Sequence, residues 1–313
     1  MFEGIEMRQV FGETLCTLAR TDPRIVVLEA DLMKASGTTP FKEEHPERFF
    51  DVGVAEANMI GIAAGLANMG KIPFATSFTP FATRRAFDQN TISVAYSNLP
   101  VRIGGTDPGV TAELNGGTHM SFEDAGIMRG LARMTIVEPV DSYQLVQFIH
   151  QSLDLEGPVY LRMYRKNKTQ FFREKDSFVI GKNVTIQEGT DGTIIASGIM
   201  LSLAMEAAQN LEKEGIRPRI INMHTLKPVD KQSILSAARD TGAIVTAENH
   251  SILNGWGSAV AEVVCEEHPI PMRRVGVRDH FGEVGKIPFL LEKYHMTSVD
   301  ITKALKEVLK KRS

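Results

Sequence analysis

Glu56 stands in the run DVGVAEANMIGIAAGL, residues 51–66, where a single carboxylate opens a small-residue helix just after a short extended segment. Between Ala55 and Ala57 it faces partial desolvation, which raises a carboxyl pKa and suits proton exchange. Gly53, Gly61 and Gly65 leave room for close packing against that helix. The competing reading is a plain helix start, with an acid favoured by the helix dipole. A second set is aromatic. Phe78 and Phe81 lie three apart around Pro80, in TSFTPFATRRAFDQ, just beyond a predicted strand. Loops at strand carboxyl ends are where ligands sit in α/β sheets. Aromatic faces there could stack on a planar heterocycle or simply pack in the core. The third set is the Gly-rich stretch GGTDPGVTAELNGGTHMSFED, residues 104–124, which carries His119. Loops of this length without regular structure are commonly functional or disordered.

Elements must hold these residues. Short β-rich runs alternate with helical stretches along the whole chain, which predicts an α/β fold of two domains. Each is a mainly parallel sheet flanked by helices. The first domain is read over residues 1–165. Its helices fall at 6–20, 55–69, 81–96, 125–131 and about 142–151, the last capped by Asp141 or Ser142. Its extended runs fall at 25–28, 72–76, 101–103, 135–137 and 159–163. Residues 166–184 turn polar and charged and are read as a linker. The second domain covers 185–313, with strands at 193–197, 219–223, 243–247 and 272–277. Its helices carry Ala204, Ala207, Ala208 and Leu211, then 231–238, 256–266 and 299–310. LKPV, 226–229, reads as a turn, and so does TDGT, 190–193.

Composition narrows the function. The chain has 313 residues, 43% hydrophobic and 23% charged, with net charge −3. That balance implies no broad attraction to nucleic acid or to an anionic membrane. Cys16 and Cys265 are too far apart in sequence for a paired metal site or a disulfide framework. There is no signal-peptide core and no apolar run of spanning length, so a cytoplasmic location is expected. GLANMGKI, 65–72, approaches a phosphate-binding loop but has Ile72 where Ser or Thr must stand, and its glycines end a helix. The eight histidines show no zinc-type helical pair, so no metal ligands are assigned to this chain.

Taken in order, these motifs resemble the transketolase family of thiamine diphosphate enzymes. Gly53, Glu56 and Met59 fit that family's Gly-x-x-Glu-x-x-Met segment. Phe78 and Phe81 match the aromatics that flank the aminopyrimidine ring. Asp31 and Leu32, in VLEADLMKAS, match the Asp-Leu segment near the thiazolium. Asn115 to His119 matches a loop whose histidine touches the substrate, with Asn115 where an aspartate is usual. VTAENHSILNGWGSAVAEVV and DHFGEVGK resemble the family's C-terminal domain. The departures are Arg84 in place of a tyrosine, Thr106 near a usual histidine, and Glu138 in place of a phosphate-binding arginine. A glutamate there would repel a phosphate, so the resemblance leaves room for a branched or otherwise anionic ketose. RAFDQ, 85–89, looks more like the related deoxyxylulose phosphate synthases.

The resemblance covers nearly the whole chain yet only half of a complete transketolase. No Gly-Asp-Gly segment for diphosphate and Mg2+ occurs. It therefore implies one subunit of a split transketolase, with an N-terminal partner subunit supplying the diphosphate and Mg2+ site, in an α2β2 heterotetramer. Glu56 would hydrogen-bond a ring nitrogen of the aminopyrimidine. His119 would polarise or protonate substrate oxygens. Arg85 would contact an anionic substrate group or pair with a neighbouring acid. A two-carbon ketol unit would pass from a ketose to an aldehyde. The rivals are the β subunit of a 2-oxo-acid dehydrogenase, a deoxyxylulose-phosphate-synthase-like subunit, and a non-catalytic scaffold.

Overall fold

The computed structural model describes residues 2–312. Met1 and Ser313, the outer ends of the two expected domains, lie outside the described residues. In chain order the strands are β1 (Ile25–Glu29), β2 (Phe49–Asp51), β3 (Ile72–Phe78), β4 (Arg102–Thr106), β5 (Thr135–Val137) and β6 (Val159–Met163). They continue with β7 (Val184–Gln187), β8 (Thr193–Ala196), β9 (Arg219–Asn222), β10 (Thr225–Lys227), β11 (Ile244–Ser251) and β12 (Met272–Val277). The seven-stranded sheet has the order β10-β5-β6-β4-β3-β1-β2, and the five-stranded sheet has β12-β11-β8-β9-β7. All pairings are parallel except β10 with β5 and β7 with β9. The fold is α/β, with two mainly parallel sheets flanked by helices, as the alternation of elements predicts.

Side-chain alternation explains why β1 is apolar throughout. Ile25 and Val27 point to one face, where Phe11 and Leu15 of helix Met7–Ala19 and Phe74 of β3 meet them. Val26 and Leu28 point to the other face, against Met59, Ile60 and Ala63 of helix Glu56–Asn68. A strand covered on both faces reads as a continuous hydrophobic run. The core around Val26 and Leu28 continues into the second half through Ile195, Ile244 and Trp256. The two sheets are thus joined by a shared apolar core.

Three readings need correction. LKPV is not only a turn, because Thr225–Lys227 forms β10 and adds an antiparallel edge to the first sheet. A three-residue edge strand has no periodicity to read, and its pairing with β5 is a tertiary matter. Residues 81–96 are not one helix. A short helix Thr79–Ala82 is followed by a 3-10 turn Arg84–Ala86 and a π-helix Gln89–Tyr96. Asn90 Nδ2 donates to Ala82 O at 2.9 Å, satisfying a carbonyl freed at the break. Finally, a Cβ added at Gly53, Gly61 or Gly65 would meet nothing in this chain, so this chain supplies no close partner at those three glycines, although the opposite face of the helix is packed in the core. Gly53 earns its place instead through a φ of +69°.

Between β6 and β7 the chain has no helix or strand, yet it is docked. Asp141 Oδ2 accepts from the backbone of Phe171 and Phe172 at 3.0 and 2.8 Å. The same carboxylate caps helix Ser142–Ser152 through Gln144 N.

Candidate active site

A parallel sheet puts the carboxyl ends of β1, β2, β3 and β4 along one edge, and the loops leaving that edge carry every chemical motif of the first half. Asp51 ends β2, and its Oδ1 accepts from Gly53 N at 3.1 Å and from Asp31 N at 3.0 Å. One carboxylate thus ties the loop after β1, with exposed Asp31 and half-buried Leu32, to the entry of the Glu56 helix. Glu56 is 2% exposed. Its Oε1 accepts from Ser77 Oγ at 3.4 Å, and its Oε2 accepts from Arg85 Nη1 at 2.9 Å. Of the two alternatives expected for Arg85, the structure displays the ion pair with a neighbouring acid.

The aromatics form one cluster. Phe78 and Phe81 meet edge-to-face with centroids 6.2 Å apart. The His119 ring meets Phe78 at 5.6 Å and Phe81 at 5.0 Å, again edge-on. A residue 38 positions away from Phe81 in sequence is therefore brought onto both rings. Two cations flank the group. The Arg85 guanidinium lies 3.9 Å over Phe81, and that of Arg165 lies 4.7 Å over Phe78. Arg165 Nε donates to Asp107 Oδ2 at 2.6 Å. Burial outweighs that pairing and holds the Asp107 carboxyl above its usual range.

Other expected residues stand further out. Asn115 is exposed at the end of the 3-10 turn Gly109–Asn115, and no hydrogen bond links it to the cluster. Arg84 donates to Glu123 Oε1 at 2.7 Å and to Thr118 O at 3.3 Å, holding the loop that carries His119. Thr106 is buried at the end of β4, its Oγ1 donating to Ser77 O. Glu138 does not face a substrate. It is fully buried, ion-paired with Arg162 and hydrogen-bonded by Tyr164. Arg162 in turn holds Asp124 at 2.8 Å and donates to Asn249 O at 2.8 Å. The negative charge that would repel a phosphate is consumed inside this network.

The second sheet contributes by holding the His119 loop. Asn249 is fully buried on β11. Its Oδ1 accepts from Val110 N and its Nδ2 donates to Pro108 O, both at 2.9 Å, on either side of Gly109. A Cβ on Gly117 would lie 2.1 Å from Gly282 O, so the loop and the DHFGEVGK segment touch backbone to backbone.

Sequence reasoning missed Asp51, Ser77, Asp107, Arg165 and Asn249. Asp51 had a signal, since Asp-x-Gly is a turn in which the side chain binds the backbone two residues on. Asp107 and Arg165 had none locally. Thr106 pairs with Met163 across β4 and β6, so residues just beyond those strands land together. Among the described residues, no group of three or more His, Cys, Asp or Glu could hold a metal ion, and no helix is long and apolar enough to cross a membrane.

The transketolase pyrimidine-binding domain model matches residues 3–170, and the transketolase C-terminal domain model matches 181–301. The chain belongs to the transketolase family. It is 52% identical over 307 residues to the 6-deoxy-6-sulfo-D-fructose transketolase subunit SqwH of Clostridium sp. (strain MSTE9), covering 98% of this chain and 95% of that one. A solved split-gene transketolase, an inactive β4 tetramer, is 43% identical with a TM-score of 0.90 and covers 99% of this chain and 100% of its own. Transketolase from Campylobacter jejuni shares the fold at a TM-score of 0.83 and 19% identity, and this chain spans 48% of its length. The chain is thus a transketolase subunit of the split, two-subunit kind, a transferase that corresponds to the C-terminal half of a full-length enzyme.

Proposed function

We propose that this subunit supplies the pyrimidine side of a thiamine diphosphate site shared with an N-terminal-type transketolase subunit. The partner would bring the diphosphate and Mg2+ ligands, in an α2β2 assembly. The observation that carries the proposal is the buried Glu56 carboxylate, at the carboxyl edge of the first sheet, beside the packed rings of Phe78, Phe81 and His119. The donor set fits an aminopyrimidine, which needs a carboxylate at a ring nitrogen and apolar faces above and below. Bound thiamine diphosphate supplies the electron sink for a two-carbon ketol unit. Glu56 would hydrogen-bond the ring nitrogen of the aminopyrimidine, and its burial would strengthen that bond. Phe78 and Phe81 orient the ring and exclude water. Asp51 ties the backbone of Asp31 to the entry of the Glu56 helix, and Asp31 and Leu32 on that loop would stand on the thiazolium side. His119 donates to or accepts from substrate hydroxyls. Asn115 binds the donor further along its chain.

The donor is proposed to be a ketose with a terminal anion, guided by the sulfonated sugar that names the relative SqwH. Basic side chains near the cluster support an anionic tail. Lys166 and Lys168 line a cleft of about 510 Å3 together with Asp107 and Thr111. A cytoplasmic location goes with a sugar-phosphate or sulfo-sugar substrate pool.

The test is reconstitution with a neighbouring gene product that carries Gly-Asp-Gly and a following Asn. The isolated chain, given thiamine diphosphate and Mg2+, is expected to show no ketol transfer, and the pair is expected to show it. Measurable transfer by this chain alone, or pyruvate decarboxylation in place of ketol transfer by the pair, would refute the reading.

A further inference from the structure

The catalytic pocket holds an ion pair that the reaction as proposed does not use. Arg85 Nη1 donates to Glu56 Oε2 at 2.9 Å while its guanidinium lies 3.9 Å over the Phe81 ring. Glu56 is 2% exposed and Arg85 is 45% exposed, so the cation reaches in from solvent to an acid already inside. A guanidinium is planar, delocalised and able to stack on an aromatic face while donating in its own plane. The aminopyrimidine of thiamine has the same three properties: a flat face for Phe81, an in-plane nitrogen for Glu56, and positive charge when protonated.

We propose that Arg85 is a positioning residue for Glu56 that holds the pyrimidine slot in the coenzyme-free subunit, giving up both the carboxylate and the ring face when the coenzyme enters. The proposal rests on the slot assigned above. Its physical ground is the cost of leaving a buried carboxylate unpaired, which is several times the worth of an exposed ion pair. Arg85 meets that cost before assembly. It keeps Glu56 aimed into the pocket and keeps the Phe81 face apart from other partners. The arginine sits on the 3-10 turn Arg84–Ala86, between a short helix and the π-helix Gln89–Tyr96. Its backbone is therefore outside any long regular element, and the side chain has solvent to withdraw into. Ser77 Oγ, on the other carboxylate oxygen, stays with Glu56 in either state. Coenzyme affinity is then reduced by the fraction of molecules in which Arg85 occupies the slot.

The experiment is calorimetric titration of the reconstituted two-subunit assembly with thiamine diphosphate and Mg2+, without sugar substrate. Arg85→Gln is expected to bind the coenzyme about 10-fold tighter than the unaltered assembly, as occupancy of the slot by arginine is relieved. Arg85→Lys, which keeps the charge on Glu56 but loses the planar face, is expected to fall between them. A merely structural arginine, or one that touches the coenzyme, would weaken binding on removal, so equal or weaker binding by Arg85→Gln overturns the proposal. Glu56→Gln is the control for the slot itself. If it leaves coenzyme affinity unchanged, the pyrimidine assignment fails; if it weakens affinity while Arg85→Gln does not tighten it, only the placeholder role fails. A structure of the loaded, unaltered assembly decides the matter without any variant. Arg85 turned away from Glu56 supports the proposal, and Arg85 still bonded to Glu56 Oε2 overturns it.

Discussion

The two sheets of this subunit have similar architecture and unequal duties. The first presents Asp31, Glu56, Phe78, Phe81 and, through the loop after β4, His119 along its carboxyl edge. The second directs none of the proposed catalytic groups into the site. Its β11 is instead buried along seven of its eight residues, and Asn249 there binds the backbone on both sides of Gly109. One sheet carries the proposed reacting groups, and the other holds the loop that bears His119. A domain without catalytic side chains can still set catalytic geometry, because a loop of Gly, Thr and Pro cannot hold a histidine against two rings unaided.

That division can be broken in order of expected effect. Glu56→Ala in the reconstituted assembly should lower turnover on the order of 10² or more, the scale of a lost proton-transfer group. Near-native turnover would remove the first sheet's claim to the chemistry. Gly117→Ala forces a methyl to within 2.1 Å of Gly282 O unless the loop moves, so His119 should shift. Turnover should fall roughly 10- to 100-fold, the usual cost of an ångström of misplacement. Coenzyme affinity should hold within about twofold, since Glu56, Phe78 and Phe81 lie on other loops. A parallel loss of coenzyme affinity would contradict the separation of duties. Asn249→Ala should act in the same direction but less, because one loop anchor goes while the Gly117–Gly282 contact stays. A donor KM and kcat that do not respond would leave β11 with a packing role alone.

The smallest effect concerns stability and pH. Glu29 ends β1, fully buried, accepting from Thr38 Oγ1 at 2.8 Å and Ser36 Oγ at 3.2 Å. Burial, with a small contribution from Asp51, pushes its carboxyl up to about 8. The unfolded chain releases that proton near 4.5, while the native chain keeps it. Stability is therefore fully present below about 4.5, declines as pH rises toward 8 and levels off beyond it. Glu29→Gln cannot ionise, so its melting temperature should fall less over that window. Some slope will remain, because burial also lifts Glu248, on β11 of the second sheet, to about 8. Melting curves of the two chains at pH 5 and pH 8 that run in parallel would exclude this account of Glu29.

Much of the candidate site was legible in local text. Glu56 follows a turn glycine and opens a helix, the two phenylalanines straddle a proline at a strand end, and His119 sits among glycines in a long loop. Each is a short-range pattern, because backbone conformation at those points is set by a few neighbouring residues. The breaks were harder to read. The stretch from Phe81 to Tyr96 has helical composition throughout, yet Thr83 at φ −107° and ψ −84° divides it. The π-helix packs against the helix Glu56–Asn68, a contact that local composition does not record.

By itself the sequence determined the class of fold, the order of its elements and the small set of side chains able to do chemistry, because periodicity and turn residues act over a few positions. Only the tertiary structure decided how those side chains are paired. It put Arg85 on Glu56, stacked Arg165 on Phe78 while tying it to Asp107, drew Glu138 inward onto Arg162, and gave β10 to the first sheet. These contacts join residues far apart in sequence through strand register and buried charge, Ile136 pairing with Lys227 and Val137 with Thr225. A charge chooses its partner by proximity in space once water is excluded, and no local pattern of residues records that choice.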